Sequence, residues 1–192
     1  MTQQIVGWTL GVSPTWGGWR PGHGAEDAEG VAQRLADGPA AQDRVRAAVM
    51  AFDAGARDVA ASILQLAVWV PDRSTGEVYG TMALELRVGV TTPADYLASV
   101  RKPARDRRVK VFHHDSAPAE VEAGPAVVVT RAQADRGSRV VLNEIEWTVF
   151  PSGSSEALQL AFGTPVAEFA QALADESAAA VNRLSVTLGQ AQ

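Results

Sequence analysis

Few residues in this sequence have both the type and the spacing to do chemistry. His113 and His114 are the only neighbouring histidines among three, and imidazole is both a general base and a metal ligand. Neighbours on a strand point to opposite faces, however, so the two cannot enter one pocket, and His23 would have to fold over from a distant loop to help. One lining a surface and the other packed is the favoured reading. Glu144 and Glu146 stand two apart in "NEIEW", which sets both carboxylates side by side on one strand face. That spacing can raise one pKa and make an acid/base couple. It equally suits the solvent-facing side of an edge strand, and that plainer reading is preferred. "PSGSSEA" at 151–157 offers serines, but it lacks the G-x-S-x-G elbow, and Ser, Pro and Gly together are what a hairpin turn requires. There is no G-x-G-x-x-G and no phosphate-binding loop ending in Gly-Lys-Ser/Thr.

Two features point to recognition instead. "PTWGGWRPGHG" at 14–24 carries Trp16 and Trp19 around Gly17-Gly18. Such a loop either packs at the end of the core or forms a binding rim, since tryptophan buries much area at small entropic cost. "RKPARDRRVK" at 101–110 holds Arg101, Lys102, Arg105, Arg107, Arg108 and Lys110 against Asp106 alone. A charge run of this kind is usually a solvated loop; the functional alternative is docking of an acidic partner or a phosphate.

Composition excludes more than it selects. The 192 residues include no cysteine, so thiolate catalysis, disulfides and cysteine-ligated metal are ruled out. The net charge of −5 argues against the broad positive field of a nucleic-acid-binding protein. No apolar run reaches the ~18 residues of a membrane span, and the first residues do not read as a signal peptide. A cytoplasmic protein with no metal and no cofactor is expected.

The elements that must position these residues follow from periodicity. Gln4 to Val12 reads as a strand, and 14–24 as a loop because Gly17-Gly18 and Pro21-Gly22 break regular structure. Ala28, Val31, Ala32 and Leu35 recur at helical spacing over 25–36; a second helix runs from Pro39 to Ala54, with Val45, Ala48, Val49 and Phe52 as its stripe. The period then becomes two. "ASILQLAVWV" at 61–70 is a strand covered on both faces, forming a long hairpin with 77–90. Thr92 caps a short helix from Pro93 to Val100 that turns Tyr96, Leu97 and Val100 inward. Strands follow at "RVKVFHH", "AVVVTRAQ", "RVVLNEIEWTVF" and "EALQLAFG", with Gly124-Pro125 and 135–138 as turns and Ala117 to Ala123 left ambiguous. Thr164 is expected to cap, and Pro165 to open, a five-turn helix ending near Leu184; 185–192 is a short strand or a frayed tail. The result is one α+β domain over 1–192, a largely antiparallel sheet with helices packed on its faces.

The order of pieces, "SPTWGGW", "AFDAGARDVAASILQLAVWV" and "EIEWTVFPSGSSEALQLAFGTPVAEFAQALADESAAAVNRLSVTL", resembles a diffuse group of uncharacterised proteins of high-GC bacteria that are similar to the Mog1/PsbP-like α/β/α sandwich. Those signatures are structural and carry no site residue. The group's early Pro-Pro-x-Trp turn is Ser13-Pro14-Thr15-Trp16 here. The resemblance implies a non-enzymatic binding or assembly factor. The leading expectation is therefore a module that docks a protein partner through Trp16 and Trp19 or through Arg101, Lys102, Arg105, Arg107 and Arg108. The alternatives are a small-molecule carrier with an apolar pocket whose mouth lies near Trp16, Trp19 and Tyr96, and a hydrolase using Glu144, Glu146 and a histidine.

Overall fold

A computed structural model describes residues 3–56, 61–89, 92–103 and 106–190. The elements run β1 (Gln3–Leu10), β2 (Trp16–Trp19), α1 (Gly24–Leu35), α2 (Pro39–Ala56), β3 (Ile63–Trp69) and β4 (Gly80–Val88). They continue with α3 (Pro93–Val100), β5 (Val109–Val121), β6 (Gly124–Asp135), β7 (Leu142–Val149), β8 (Glu156–Thr164), α4 (Ala170–Val181) and β9 (Leu184–Gln190). The fold is mixed α+β, with mostly antiparallel pairing and helices packed against sheet. Two compact units emerge, one of Val12–Glu85 and one of Met1–Gly11 with Leu86–Gln192. No helix among the described residues is long and apolar enough to cross a membrane.

In the unit of Val12–Glu85, α1 and α2 lie on one face of a β2–β3–β4 meander. Their stripes supply Ala28, Val31, Leu35, Val45 and Val49, which close over Trp19, Leu66, Val68 and Val70. Fully burying each Val or Leu of this set contributes roughly 1.5–3 kcal/mol. The other face of β3 carries Ala67 and Trp69, also buried, so the continuous apolar run does mark a strand enclosed on both sides.

The segment expected to be a loop contains strand β2 instead. Trp16, Gly17, Gly18 and Trp19 pair with Trp69, Val68, Ala67 and Leu66. Glycine here serves close approach rather than chain reversal: a Cβ on Gly17 would fall 2.7 Å from side-chain carbons of both Val31 and Leu35. Lacking one, the strand can lie directly under α1.

In the other unit, β5, β6, β7 and β8 form consecutive antiparallel hairpins. Helix α3 packs against β5 and β6, and α4 against β7 and β8. Residues paired directly across strands share a sheet face, so Ile145, Trp147 and Val149 lie with Phe162, Leu160 and Leu158 on the α4 side. There Trp147 Nε1 donates to Ser177 Oγ at 3.1 Å, and Leu173, Ala180 and Val181 are fully enclosed. β1 pairs with β9 in a separate two-stranded sheet. It is tied to the β7–β8 turn by Gln3 N donating to Gly153 O at 3.1 Å.

Three boundaries differ from expectation. β5 continues unbroken through the ambiguous Ala117 to Val121, and the turn falls at Glu122-Ala123; Gly124 and Pro125 open β6. Gly124 takes φ +139°, where a side chain would also strike Phe150 O. Thr164 ends β8 rather than capping a helix: its hydroxyl accepts from Val166 N at 3.1 Å, a short 3₁₀ turn intervenes at Ala167–Phe169, and α4 begins only at Ala170. Leu184, assigned to the helix by its period, opens β9.

Candidate functional site

The two tryptophans are packed, not presented. Trp16 and Trp19 are 5% and 4% exposed. Trp16 stacks on Trp69, with ring centroids 6.1 Å apart, while Trp19 meets the edge of Phe52 at 6.0 Å. The Trp19 Nε1–H donates to Asp53 Oδ1 at 3.1 Å, and the same oxygen accepts from Gly22 N at 2.8 Å. Asp53 is itself 2% exposed. It sits where Gly24 leaves room, since a Cβ there would come within 2.5 Å of Asp53 Cβ. The carboxylate thus fastens the segment after β2 to α2, and the rings leave a partner little to touch. An Asp one turn after Val49 and two after Val45 on the apolar stripe of α2 is the signal that could have revealed this anchor.

The glutamate pair is not on an edge strand. β7 lies between β6 and β8, and its Glu144, Glu146 and Thr148 face α3. Glu146 accepts from the Tyr96 hydroxyl at 3.0 Å and from the Arg131 guanidinium. Glu144 accepts from Gln133 Nε2 at 2.6 Å. Burial pushes the Glu144 carboxyl above its usual range; the neighbouring Arg131 opposes this and Glu146 reinforces it. Burial likewise raises the Tyr96 phenol, with the Glu146 carboxylate adding to the effect. The preferred reading of a solvated edge strand is thus overturned: the two carboxylates lie in a polar layer against α3, where Glu146 adds to the effect of burial on Glu144.

The histidines do not complete it. His113 and His114 point to opposite faces, as strand geometry requires. His113 Nε2 lies 3.2 Å from Thr130 Oγ1, and His114 Nε2 donates to the Val100 carbonyl at the end of α3 over 2.8 Å. His114 pairs across the ladder with Arg131, and Arg131 with Glu144. Two strand spacings, about 9.6 Å, separate the histidine from the carboxylate, with Arg131 between them. The Glu–His contact needed by a hydrolase of that design is not assembled. Among the described residues, no three His, Asp or Glu side chains are placed to hold a metal ion.

Arg107, Arg108 and Lys110 of the basic run lie at the open end of the β5–β6 hairpin, whereas Arg101 and Lys102 follow the end of α3. Arg101, Lys102, Arg107 and Arg108 are all exposed; Arg105 lies outside the described residues. Arg136 N donates to Arg108 O at 2.6 Å, which brings the β6–β7 turn, with exposed Arg136 and Arg139, beside the run. Arg108 pairs with Asp106 at 3.2 Å. Arg101, Lys102, Arg107, Arg136 and Arg139 form no ion pair among the described residues. Phe112, just after the run, and Val140, next to Arg139, are 54% and 56% exposed, and the Lys110 ammonium stands 4.7 Å from the Phe112 ring centroid. The turn's arginines were missed in the sequence because only the register joins them to the 101–110 run.

No protein-family model matches the chain, and no curated protein does. Among solved structures, the chain is similar to LpqN of Mycobacterium tuberculosis, described as involved in cell envelope biogenesis. The identity is 14%, over 65% of this chain and 72% of that one, with a TM-score of 0.46. A likeness that weak carries no argument about function.

Proposed function

We propose that the protein is a non-catalytic accessory module that docks an acidic segment of a protein partner on the basic end of the β5–β6 hairpin. The observation that carries this reading is the meeting of Arg107 and Arg108 with Arg136 of the β6–β7 turn, next to Lys110 and the exposed Phe112 ring beneath it, in a chain of net charge −5. Local charge opposite to the overall charge directs an acidic partner to one place and raises its association rate. An exposed aromatic ring beside arginines is the composition of an interface centre. Folding stability does not explain the cluster, because exposed like charges repel. Trp16 and Trp19 have no part in this reading. A cytoplasmic site of action and the Mog1/PsbP-like sandwich belong to the same proposal, the first tested by cell fractionation and the second by an experimental structure.

The test is titration of the protein with a fluorescent Glu/Asp-rich peptide containing one Leu and one Phe, followed by anisotropy at rising salt. Binding that weakens with salt and falls at least tenfold in Arg107→Glu/Arg108→Glu/Arg136→Glu, with unchanged unfolding, supports the proposal. No binding, binding insensitive to those substitutions, or tighter capture by duplex DNA or anionic phosphatidylglycerol vesicles overturns it.

A further inference from the structure

On the α4 side of β5, β6 and β7 lies a hollow of about 400 Å³, within the range of small-molecule sites. It exists because the residues around it are small. Ala132 on β6 and Ala170 and Ala174 on α4 leave the space, and Ile145 and Leu173 give it an apolar floor. Polar residues also line it: His113 at the exposed rim with Thr130 beside it, Asn143, and Arg131, Glu144 and Gln171. Asn143 Nδ2 is shut away from water and has no acceptor among the described residues. A buried donor left in this state is costly, and polar groups retained at such a cost are found at functional sites. Trp16, Trp19 and Tyr96, the expected rim of a carrier's pocket, do not line this hollow.

We infer that the hollow is a binding site for a compact, largely apolar ring compound bearing a carbonyl-type acceptor. The ring lies on Ile145 and Leu173 against the alanines. A small turn of the Asn143 carboxamide brings its N–H to the ligand oxygen, and the His113–Thr130 pair closes the open side. The site is separate from the basic end and stands whether or not that end docks a peptide.

Benzamide, with about nine non-hydrogen atoms, is the probe, and a Kd near 1 mM is expected for a ligand of its size. In a titration followed by amide NMR, shifts confined to 130–132, 143–145 and 170–174 support the site. Ala174→Leu, which fills the space and suits a helix, should weaken binding at least tenfold; Ala132→Val serves the same purpose should that variant fail to fold. Toluene, which has no acceptor, should bind more weakly than benzamide to the parent chain and equally to Asn143→Leu. The inference is overturned by an absence of shifts at these amides at about 10 mM benzamide, ten times that Kd, by equal affinity in the filled variants, or by a benzamide preference that survives loss of Asn143.

Discussion

Replacing Asp53 by alanine removes the single oxygen that accepts both the Trp19 indole N–H at 3.1 Å and the Gly22 amide at 2.8 Å. Hydrogen bonds to a charged acceptor contribute about 1.5–3 kcal/mol each, and a buried donor left unpaired costs about 1–3 kcal/mol. The two bonds share one atom and are not additive, so Asp53→Ala is expected to cost about 3–5 kcal/mol. Against a total stability of about 5–15 kcal/mol, that loss brings the protein close to unfolding. Asp53→Asn keeps an oxygen in place for both donors and exchanges only a charged acceptor for a neutral one, so its cost should be about 1 kcal/mol. Urea unfolding followed by tryptophan fluorescence separates the two variants. The anchoring argument is refuted if Asp53→Ala costs less than about 1 kcal/mol, or if asparagine costs as much as alanine.

The packing of the first tryptophan predicts that Trp16→Ala costs about 3–5 kcal/mol in the same assay; a loss within about 0.5 kcal/mol, as at surface sites, would return the ring to the surface. Glu144 gives a pH signature. Its folded pKa is raised, so its contribution to stability is complete below the unfolded value and is lost as pH rises through the folded one. Glu144→Gln should therefore be more stable than the parent at neutral pH, by a few tenths of a kcal/mol after solvent screening, with the two curves converging near pH 4; a variant less stable at pH 7 contradicts the burial argument.

Helices α1 and α2 could be read from the sequence because their apolar positions recur every three or four residues and Asp37-Gly38-Pro39 punctuates them. Strand β3 was visible as an unbroken apolar run. The Thr92 cap was also legible, and its hydroxyl accepts from Asp95 N as the local pattern requires. Features that depend on distant partners were not. "WGGW" has the composition of a loop and becomes a strand only because β3 lies ready to pair with it and α1 needs the space above Gly17. Thr164-Pro165 looks like a helix start, but β8 continues to Thr164 to complete its ladder with Asn143. Glu144 and Glu146 alternate with apolar residues just as a solvated edge strand does. Their burial depends on Tyr96 of a separate helix and on Arg131 of the neighbouring strand, which no local pattern reports.

The same separation of local from distant causes bears on how a partner can dock. β5 is the last strand in its sheet's order and pairs with β6 alone among the described strands. Exposed backbone of this kind invites an added strand. β5 discourages one along its whole length. Phe112 forms a bulge between Val111 and His113, Pro118 has no N–H to offer, and Lys110, Asp115 and Glu120 place charges along it. These are the devices by which edge strands avoid pairing. Recognition at this end must therefore run through side chains. The bulge leaves Phe112 exposed beneath the Lys110 ammonium. The feature that closes the edge to another backbone is thus the one that gives the basic surface its aromatic centre. Deleting Phe112 to restore regular pairing should weaken acidic-peptide binding and at the same time promote self-association, visible as a larger sedimentation coefficient. Weakened binding without self-association would leave the charges as the whole of the recognition surface and remove the bulge from the argument.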